Sequence, residues 1–255
     1  MLEAERAISG RRREALAGSH AAGPDTSHAL GPAVLGTGVD LSAGALAVAR
    51  RNAFRLGLGH RCTFLQSDWL ARLGAGPAGS PPSPGYDLLL CNPPYIPPGD
   101  IATGRVQASV WRHEPASALF PNPLPGRAAP VPEAPAENDA HDDDGLDAVR
   151  RIAAARPGRW LAPPRRALPP AATLADIHRA GAGVLLLEIG EGQAATARDI
   201  LLAADPSLAP VPGVGMLAGA GAFGGGAAMV AAAGPGIVID YGHIPRLVAL
   251  YRRRP

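Results

Sequence analysis

The chain has 255 residues, of which 47% are hydrophobic and 18% are charged, so it carries enough apolar material for one sizeable α/β domain. Lys and Arg number 24 and Asp and Glu 22, and the resulting net charge of +2 argues against binding nucleic acid by broad charge attraction. The two cysteines, Cys62 and Cys91, exclude a disulfide framework and lie in apolar stretches that predict buried free thiols.

The N-terminal half opens with a predicted strand and a helix. Residues 33–39 form an apolar run typical of a short buried strand, and Asp40 follows its end. Ser42 is a favourable helix N-cap, and apolar residues then recur at helical spacing. Gly57 stands where a residue of left-handed conformation often ends a helix, so we expect the helix to stop there.

Two further strands are predicted before the middle of the chain. Residues 61–65 predict a strand that leads into Asp68. Residues 86–91 form a continuous apolar run that leads into Asn92. Such an unbroken run is typical of a central parallel strand that is covered on both faces.

The C-terminal half continues the alternation of strands and helices. Apolar residues at helical spacing predict a helix from residue 146 to about residue 157. Residues 183–189 predict another buried strand, and a helix through Leu201 follows it. Residues 237–239 and 247–251 predict two terminal strands, antiparallel if the turn between them joins them directly.

This alternation predicts an α/β fold with a mostly parallel, Rossmann-like sheet and an antiparallel terminal strand pair. In open sheets of this kind, ligands bind beyond the carboxyl ends of the strands. Asp40, Asp68 and Asn92 each follow the end of a predicted strand. We therefore expect these three residues at one edge of the sheet, as candidate binding residues.

Glycine and proline, with 32 and 28 residues, are concentrated in a few segments. Such segments cannot bury enough apolar surface to offset the entropy of ordering, so they predict loop insertions. The predicted organisation is one domain over residues 33–255, preceded by a poorly defined segment, 1–32. The insertions are predicted near residues 74–85, 121–144, 163–172 and 206–236.

The segment Asn92-Pro93-Pro94-Tyr95 carries the strongest chemical signal. Methyl transfer to an amide or exocyclic amino nitrogen needs acceptors that hold the NH2 group and stabilise the positive charge that develops on the nitrogen. The Asn92 carboxamide oxygen and the Pro93 carbonyl can be those acceptors, and the Tyr95 ring can stack on a flat substrate. Pro93 and Pro94 stiffen the loop. A plain turn after a strand is the alternative interpretation of the same four residues.

The other strand ends suit a nucleoside cofactor. Asp40 can accept hydrogen bonds from both ribose hydroxyls, and a turn or helix-capping aspartate is the equal alternative. Asp68 and Trp69 can bind the adenine amino group and pack its ring, although core packing is the better interpretation for Trp69 alone. Glu188 either orients the site or makes a structural pair. No residues show metal-ligand spacing, so no metal site is predicted.

With these residues assembled, the chain resembles the release factor glutamine methyltransferases, the HemK family, from about residue 33 to residue 252. Asn92-Pro93-Pro94-Tyr95, followed by Ile96, is similar to the family's catalytic tetrapeptide. The other segments that carry the resemblance are 39–53, 67–69, 113–120, 144–147, 187–193 and 240–246. The tetrapeptide alone would also fit methyltransferases of adenine or guanine amino groups, and the additional segments favour the glutamine branch.

The resemblance implies a class I methyltransferase fold with S-adenosylmethionine as cofactor. The implied substrate is the glutamine of a Gly-Gly-Gln loop in a peptide chain release factor. Asn92 and the Pro93 carbonyl would hold the amide nitrogen. Asp40, Asp68 and Trp69 would contact the cofactor together with Asn92. The expected protein is a monomer of the cytoplasm or the mitochondrial matrix, without a membrane or nucleic-acid partner.

One segment departs from the family pattern, in which the first strand leads into a glycine-rich loop that holds the methionine part of the cofactor. Here Gly36 and Gly38, the candidate cofactor-binding glycines, are followed at once by Asp40. Either they are a remnant of that loop fused to the second strand, or they lie inside that strand and the first strand is missing. Both alternatives leave no residues for a complete loop, and loss of the first strand, which lies inside the family's sheet, would leave neighbouring strand edges unpaired. From the resemblance we expect the family's N-terminal domain to be absent or reduced to residues 1–32.

Two other functions stay open. A nucleic-acid amino methyltransferase could use the same tetrapeptide, but near-neutral charge and the lack of a nucleic-acid module count against it. A chain with an incomplete cofactor loop could also be an inactive or truncated relative that acts only by binding a partner.

Overall fold

The computed structural model describes residues 34–73, 85–97, 99–121, 144–169, 172–212, 235–240 and 244–254. Its strands are β1 (Gly36–Asp40), β2 (Cys62–Gln66), β3 (Leu88–Cys91), β4 (Val184–Glu188), β5 (Leu208–Pro210), β6 (Ile237–Ile239) and β7 (Pro245–Arg252). Its helices are α1 (Ala43–Arg55), α2 (Gly99–Ala102), α3 (Ala108–His113), α4 (Ala116–Leu119), α5 (Asp147–Ala154), α6 (Leu174–Ala180) and α7 (Ala194–Ala204). None of the helices described here has both the length and the apolar character needed to cross a membrane.

The larger sheet is built around β7. Its strand order is β3-β4-β7-β5, and β6 also pairs with β7. β3 and β4 are parallel, whereas β7 is antiparallel to β4, β5 and β6. The α/β class and the antiparallel terminal pair β6–β7 are confirmed. Antiparallel pairing reaches further than the terminal pair because β7 lies inside the sheet.

Helices cover both faces of the larger sheet. Side chains alternate along β4, so Leu185 and Leu187 pack in one apolar cluster with α5 and α7. Val184 and Leu186 point to the other face and pack against a second cluster, which includes Ile177 of α6. Each buried leucine stabilises the fold by about 2 kcal/mol, so these two clusters fix β4 at the centre of three layers.

β1 and β2 form a separate, two-stranded parallel sheet in which Asp40 lies opposite Gln66. α1 connects the two strands and packs on both. Its predicted ends are confirmed, since the Ser42 hydroxyl accepts a hydrogen bond from the Ala45 amide over 3.2 Å and Gly57 has a φ of 70°. No ladder within the described residues joins this sheet to the larger one.

β1 and β3 are more exposed than the sequence predicts. The expectation of a buried first strand is wrong, since each residue of β1 is exposed or half-exposed. The expectation that residues 86–91 form a central strand covered on both faces is also wrong. Among the described strands β3 pairs only with β4, and its Leu88 and Leu90 are 49% and 71% exposed. Apolar runs indicate strands, but they do not show whether a neighbour covers each face.

The predicted insertions and the segment 1–32 lie largely outside the described residues. Part of the range 206–236 is described, and it contains β5. There, Leu208 is buried in the larger core while the strand pairs with the end of β7.

Candidate active site at the end of β3

A cleft of about 170 Å³ opens where β3 ends. Its lining residues are Asn92, Pro93, Pro94, Tyr95, Ile96, Ala118 and Leu119. The four residues of the predicted catalytic segment thus lie together in one cleft, and Asn92 is exposed. Ala118 and Leu119 of α4 form an apolar wall to which the sequence assigned no role in substrate binding.

The loop 92–96 is held where it leaves β3 and where it reaches α4. Cys91, just before the loop, lies opposite Leu187 in the ladder between β3 and β4. The Ile96 amide donates a hydrogen bond to the Leu119 carbonyl over 3.1 Å. Pro93 and Pro94 have no amide hydrogen and a restricted φ, so the short loop has little remaining freedom.

The Tyr95 side chain reaches from the loop to the end of β4. Its hydroxyl donates a hydrogen bond to Glu188 Oε1 over 3.3 Å. Burial, and then the negative charge of Glu188, raise the pKa of the Tyr95 phenol, with Arg246 opposing. The phenol therefore keeps its proton at neutral pH. Of the two interpretations of Glu188, the structure shows a pair, and its partner is a residue of the predicted site.

Gln193, which the sequence placed only in a family motif, links three segments next to the cleft. Its Nε2 donates to the Tyr95 carbonyl over 2.9 Å and to the Asp144 carbonyl over 2.7 Å. Its Oε1 accepts a hydrogen bond from the Gly190 amide over 2.8 Å. The Gly-x-x-Gln spacing after a predicted strand was the available signal for this residue.

The turn at Asp144 is fixed by charge. The Asp144 carboxylate accepts hydrogen bonds from both terminal nitrogens of Arg150, at 2.8 and 2.7 Å. It also accepts one from the Leu146 amide over 3.0 Å. The hydrogen bonds from Arg150 hold the pKa of Asp144 below its usual value. Gly145, with a φ of 74°, has no room for a side chain because a Cβ would meet the Tyr95 carbonyl.

Asp40, at the end of β1, is exposed, and one of its two carboxylate oxygens accepts a hydrogen bond. Its Oδ1 accepts a hydrogen bond from the Ser42 amide over 2.7 Å, as the turn-aspartate interpretation requires. Among the described residues, the other oxygen of the Asp40 carboxylate, Oδ2, has no hydrogen-bond donor.

Asp68 and Trp69 follow β2 in a tight turn. The buried Ser67 hydroxyl donates to the Trp69 carbonyl and accepts from the Arg72 amide, each over 2.9 Å. Asp68 is exposed, whereas Trp69, with a φ of 48°, packs against the larger core. Core packing is therefore confirmed for the Trp69 ring.

Gly36 and Gly38 lie inside β1 and not in a loop. A Cβ on Gly38 would stand 2.8 Å from the Phe64 ring of β2, which gives this glycine a packing reason. Neither glycine lines the cleft, and neither do Asp40, Asp68 and Trp69. Within the described ranges, no group of His, Cys, Asp and Glu could hold a metal ion.

Comparison with known proteins links the chain to one group of enzymes, although no protein-family model matches it. It is 37% identical over 163 residues to the release factor glutamine methyltransferase of Rhodospirillum rubrum, covering 64% of this chain and 35% of the relative. It is 34% identical over 173 residues to the ribosomal protein uL3 glutamine methyltransferase of Bordetella pertussis, covering 68% and 40%. The release factor glutamine methyltransferase of Caulobacter vibrioides is 44% identical over 92 residues, covering 36% and 28%. The chain thus spans about two fifths or less of the length of these relatives, and over the matched residues it is related to the release factor glutamine methyltransferases.

Proposed function

We propose that this chain transfers a methyl group from S-adenosylmethionine to the side-chain amide nitrogen of a glutamine in a peptide chain release factor. The observation that carries the proposal is the cleft that Asn92 and Pro93 line together with the apolar residues Ala118 and Leu119. A glutamine side chain has the matching division, with an amide at its tip and methylenes along its stem.

The polar side of the cleft can hold the substrate amide. Asn92 makes no side-chain hydrogen bond with other described residues, so its carboxamide oxygen is available as an acceptor. The Pro93 carbonyl is a second acceptor for the same NH2 group. Together they orient the nitrogen lone pair and stabilise the positive charge that grows on it during alkylation. Bound S-adenosylmethionine supplies the electrophilic methyl group. No strong base is required, since the alkylated nitrogen loses its proton readily.

The residues at the ends of β1 and β2 fit the nucleoside half of the cofactor. Asp40 and Asp68 are exposed carboxylates after two neighbouring parallel strands, which suits ribose hydroxyl and adenine amino donors. Trp69 would contribute from its core position, and Asn92 from the cleft. Gly36 and Gly38 would serve the site only through the strand that they form. Within the described residues, no glycine-rich loop is present to receive the methionine half.

The size of the cleft favours a side chain over a larger ligand. Pockets for whole drug-sized ligands measure roughly 300–1,000 Å³, whereas this cleft measures about 170 Å³. Most of the relatives named above are release factor glutamine methyltransferases, and one is named for a glutamine of ribosomal protein uL3. A glutamine of uL3 is therefore the second candidate substrate.

The test offers purified release factor, ribosomal protein uL3, RNA and DNA to the folded chain with labelled S-adenosylmethionine. We expect label on the glutamine of the Gly-Gly-Gln loop and none on a release factor in which that glutamine is replaced by alanine. Asn92→Ala should lower the transfer rate by roughly 10²–10³-fold, because it removes one acceptor of the developing charge. Asn52→Ala, at an exposed position of α1, is the matched control and should transfer at the wild-type rate.

Calorimetric titration with S-adenosylmethionine supplies the second measurement. Asp40→Ala should weaken binding, and Asp199→Ala, which removes an exposed carboxylate of α7, should not. Label on RNA or DNA alone would establish the nucleic-acid alternative. A folded chain that binds no cofactor and labels no substrate would show that this chain is an inactive relative.

A further inference from the structure

We propose that Gln193 is a positioning residue for methyl transfer, because its carboxamide holds the main chain of the loop 92–95 against the end of β4. The kcat measurement for this inference rests on the proposed function, whereas the hydrogen-exchange measurement is independent of it.

The orientation of the Gln193 carboxamide is fixed by its partners. The Gly190 amide can only donate, so it must face Oε1, at 2.8 Å. The carbonyls of Tyr95 and Asp144 can only accept, so they must face Nε2, at 2.9 and 2.7 Å. Both hydrogens of the NH2 group are used, and a flipped amide would lose all three bonds.

The helix that follows Gln193 does not need the three hydrogen bonds of the Gln193 side chain. Gln193 occupies the N-cap position of α7, yet its side chain makes no capping hydrogen bond to that helix. Residues such as Ser, Thr, Asp and Asn are favoured there because they do cap. A glutamine whose side chain bonds to other segments therefore serves those segments.

Two glycines leave the room that the carboxamide needs. A Cβ on Gly190 would stand 2.7 Å from Gln193 Oε1, and one on Gly145 would stand 2.7 Å from Nε2. Gly145 also has a φ of 74°, in the left-handed region where other residues are strained. The surroundings of the Gln193 amide are thus built for close contact on two sides.

The bond to Tyr95 fixes the far end of the substrate-binding loop. Gln193 Nε2 donates a hydrogen bond to the Tyr95 carbonyl over 2.9 Å. The near end is fixed by Cys91, which lies opposite Leu187 in the ladder with β4. β4 continues into the turn that carries Gln193, so one segment holds both ends of the loop. Asn92 and the Pro93 carbonyl lie between these two points and take their positions from them.

The decisive variant is Gln193→Glu, which keeps an acceptor for the Gly190 amide and removes both donors. We expect a folded protein with unchanged affinity for S-adenosylmethionine and a kcat lowered roughly 10- to 100-fold, since a displacement of about 1 Å at a reacting group has that effect. The matched control is Gln107→Glu, because Gln107 is exposed and makes no side-chain capping bond at the start of α3. This control should keep the wild-type kcat.

Hydrogen exchange tests the same contact without activity. Only Asn92, Tyr95 and Ile96 have amide hydrogens in the loop, and the Ile96 amide is bonded to Leu119. Gln193→Glu should speed exchange of the Ile96 amide, while the amides of β2 keep their wild-type rate. If the wild-type chain transfers no methyl group, the proposed function fails, and this measurement still decides the positioning role.

The inference is overturned if Gln193→Glu keeps kcat within about twofold of the control, or if the Ile96 amide exchanges at the wild-type rate. Should the glutamate variant fail to fold, Gln193→Met carries the same test, because it removes the three hydrogen bonds without adding a charge. A fall in cofactor affinity at unchanged kcat would also overturn it, since the residue would then act in binding and not in positioning.

Discussion

The hydroxyl of Tyr95 and the carboxylate of Glu188 meet across 3.3 Å and join the end of β3 to the end of β4. We expect Tyr95→Phe to keep the ring that can stack on the substrate while losing this bond. The lost bond should reduce the free energy of unfolding by about 0.5–1.5 kcal/mol. The rate of methyl transfer should fall as well, because the ring can then tilt in the cleft.

Tyr86→Phe separates these two effects. The Tyr86 hydroxyl donates to the Leu73 carbonyl over 3.2 Å, so this variant loses a bond of similar length at a residue that does not line the cleft. Chemical unfolding should show similar losses of stability for both variants, and only Tyr95→Phe should slow transfer. Equal transfer rates for the two variants would mean that the bond to Glu188 is purely structural.

Local signals in the sequence predicted the parts of the structure that depend on neighbouring residues. The Ser42 cap and the end of α1 two residues before Gly57 follow from side-chain and backbone preferences within a few positions. The cleft residues from Asn92 to Tyr95 were also predictable, because Asn92 directly follows an apolar strand, whereas Ala118 and Leu119 were not. In each case the deciding interaction lies within one element and its flanking turn.

Contacts between distant segments could not be predicted in the same way. Gln193 bonds to carbonyls 49 and 98 positions away, and no periodic pattern reports such a pair. The exposure of Leu90 depends on the absence of a covering neighbour among the described elements, which a run of leucines does not reveal. Local sequence patterns thus predict the strands and helices, whereas contacts between distant residues determine which of these elements are covered.

Gly36 and Gly38 should respond differently to a methyl group. A Cβ on Gly38 would press on the Phe64 ring at 2.8 Å, so we expect Gly38→Ala to destabilise the chain by about 1–3 kcal/mol. A Cβ on Gly36 would meet Cys62 Sγ at 3.8 Å, an ordinary contact, and Gly36→Ala should be tolerated. Thermal unfolding of both variants checks the difference.

Cofactor titration of Gly36→Ala then tests whether this glycine approaches a ligand. Gly36 of β1 pairs with Cys62 of β2, so we expect the Gly36→Ala protein to bind S-adenosylmethionine with unchanged affinity. A large loss of affinity in a stable Gly36→Ala protein would show instead that Gly36 contacts the cofactor, as the sequence analysis predicts.

Asp205 should be critical for stability because it is buried and fully used. It is 3% exposed, and its carboxylate accepts hydrogen bonds from the Gly158 amide at 2.7 Å and from the Ser207 amide and hydroxyl at 3.1 and 2.6 Å. Either orientation of the amide in Asp205→Asn turns an NH2 group toward an N–H donor. We expect a loss of about 1–3 kcal/mol in urea unfolding. Asp199→Asn, which alters an exposed carboxylate, should change stability little, and equal losses would contradict this account.

Cys91 should make stability depend on pH above neutrality. Burial raises the pKa of its thiol to about 12, while an unfolded cysteine titrates near about 8.5. The unfolded chain therefore releases this proton first as the pH rises. The neutral thiol's contribution to stability is complete below about pH 8.5 and falls by up to about 1.4 kcal/mol per pH unit between there and about pH 12. Urea unfolding of the wild type and of Cys91→Ala from about pH 7 to about pH 10 measures the difference. The two curves should converge with rising pH, and a constant separation would show that the thiol ionises equally in both states.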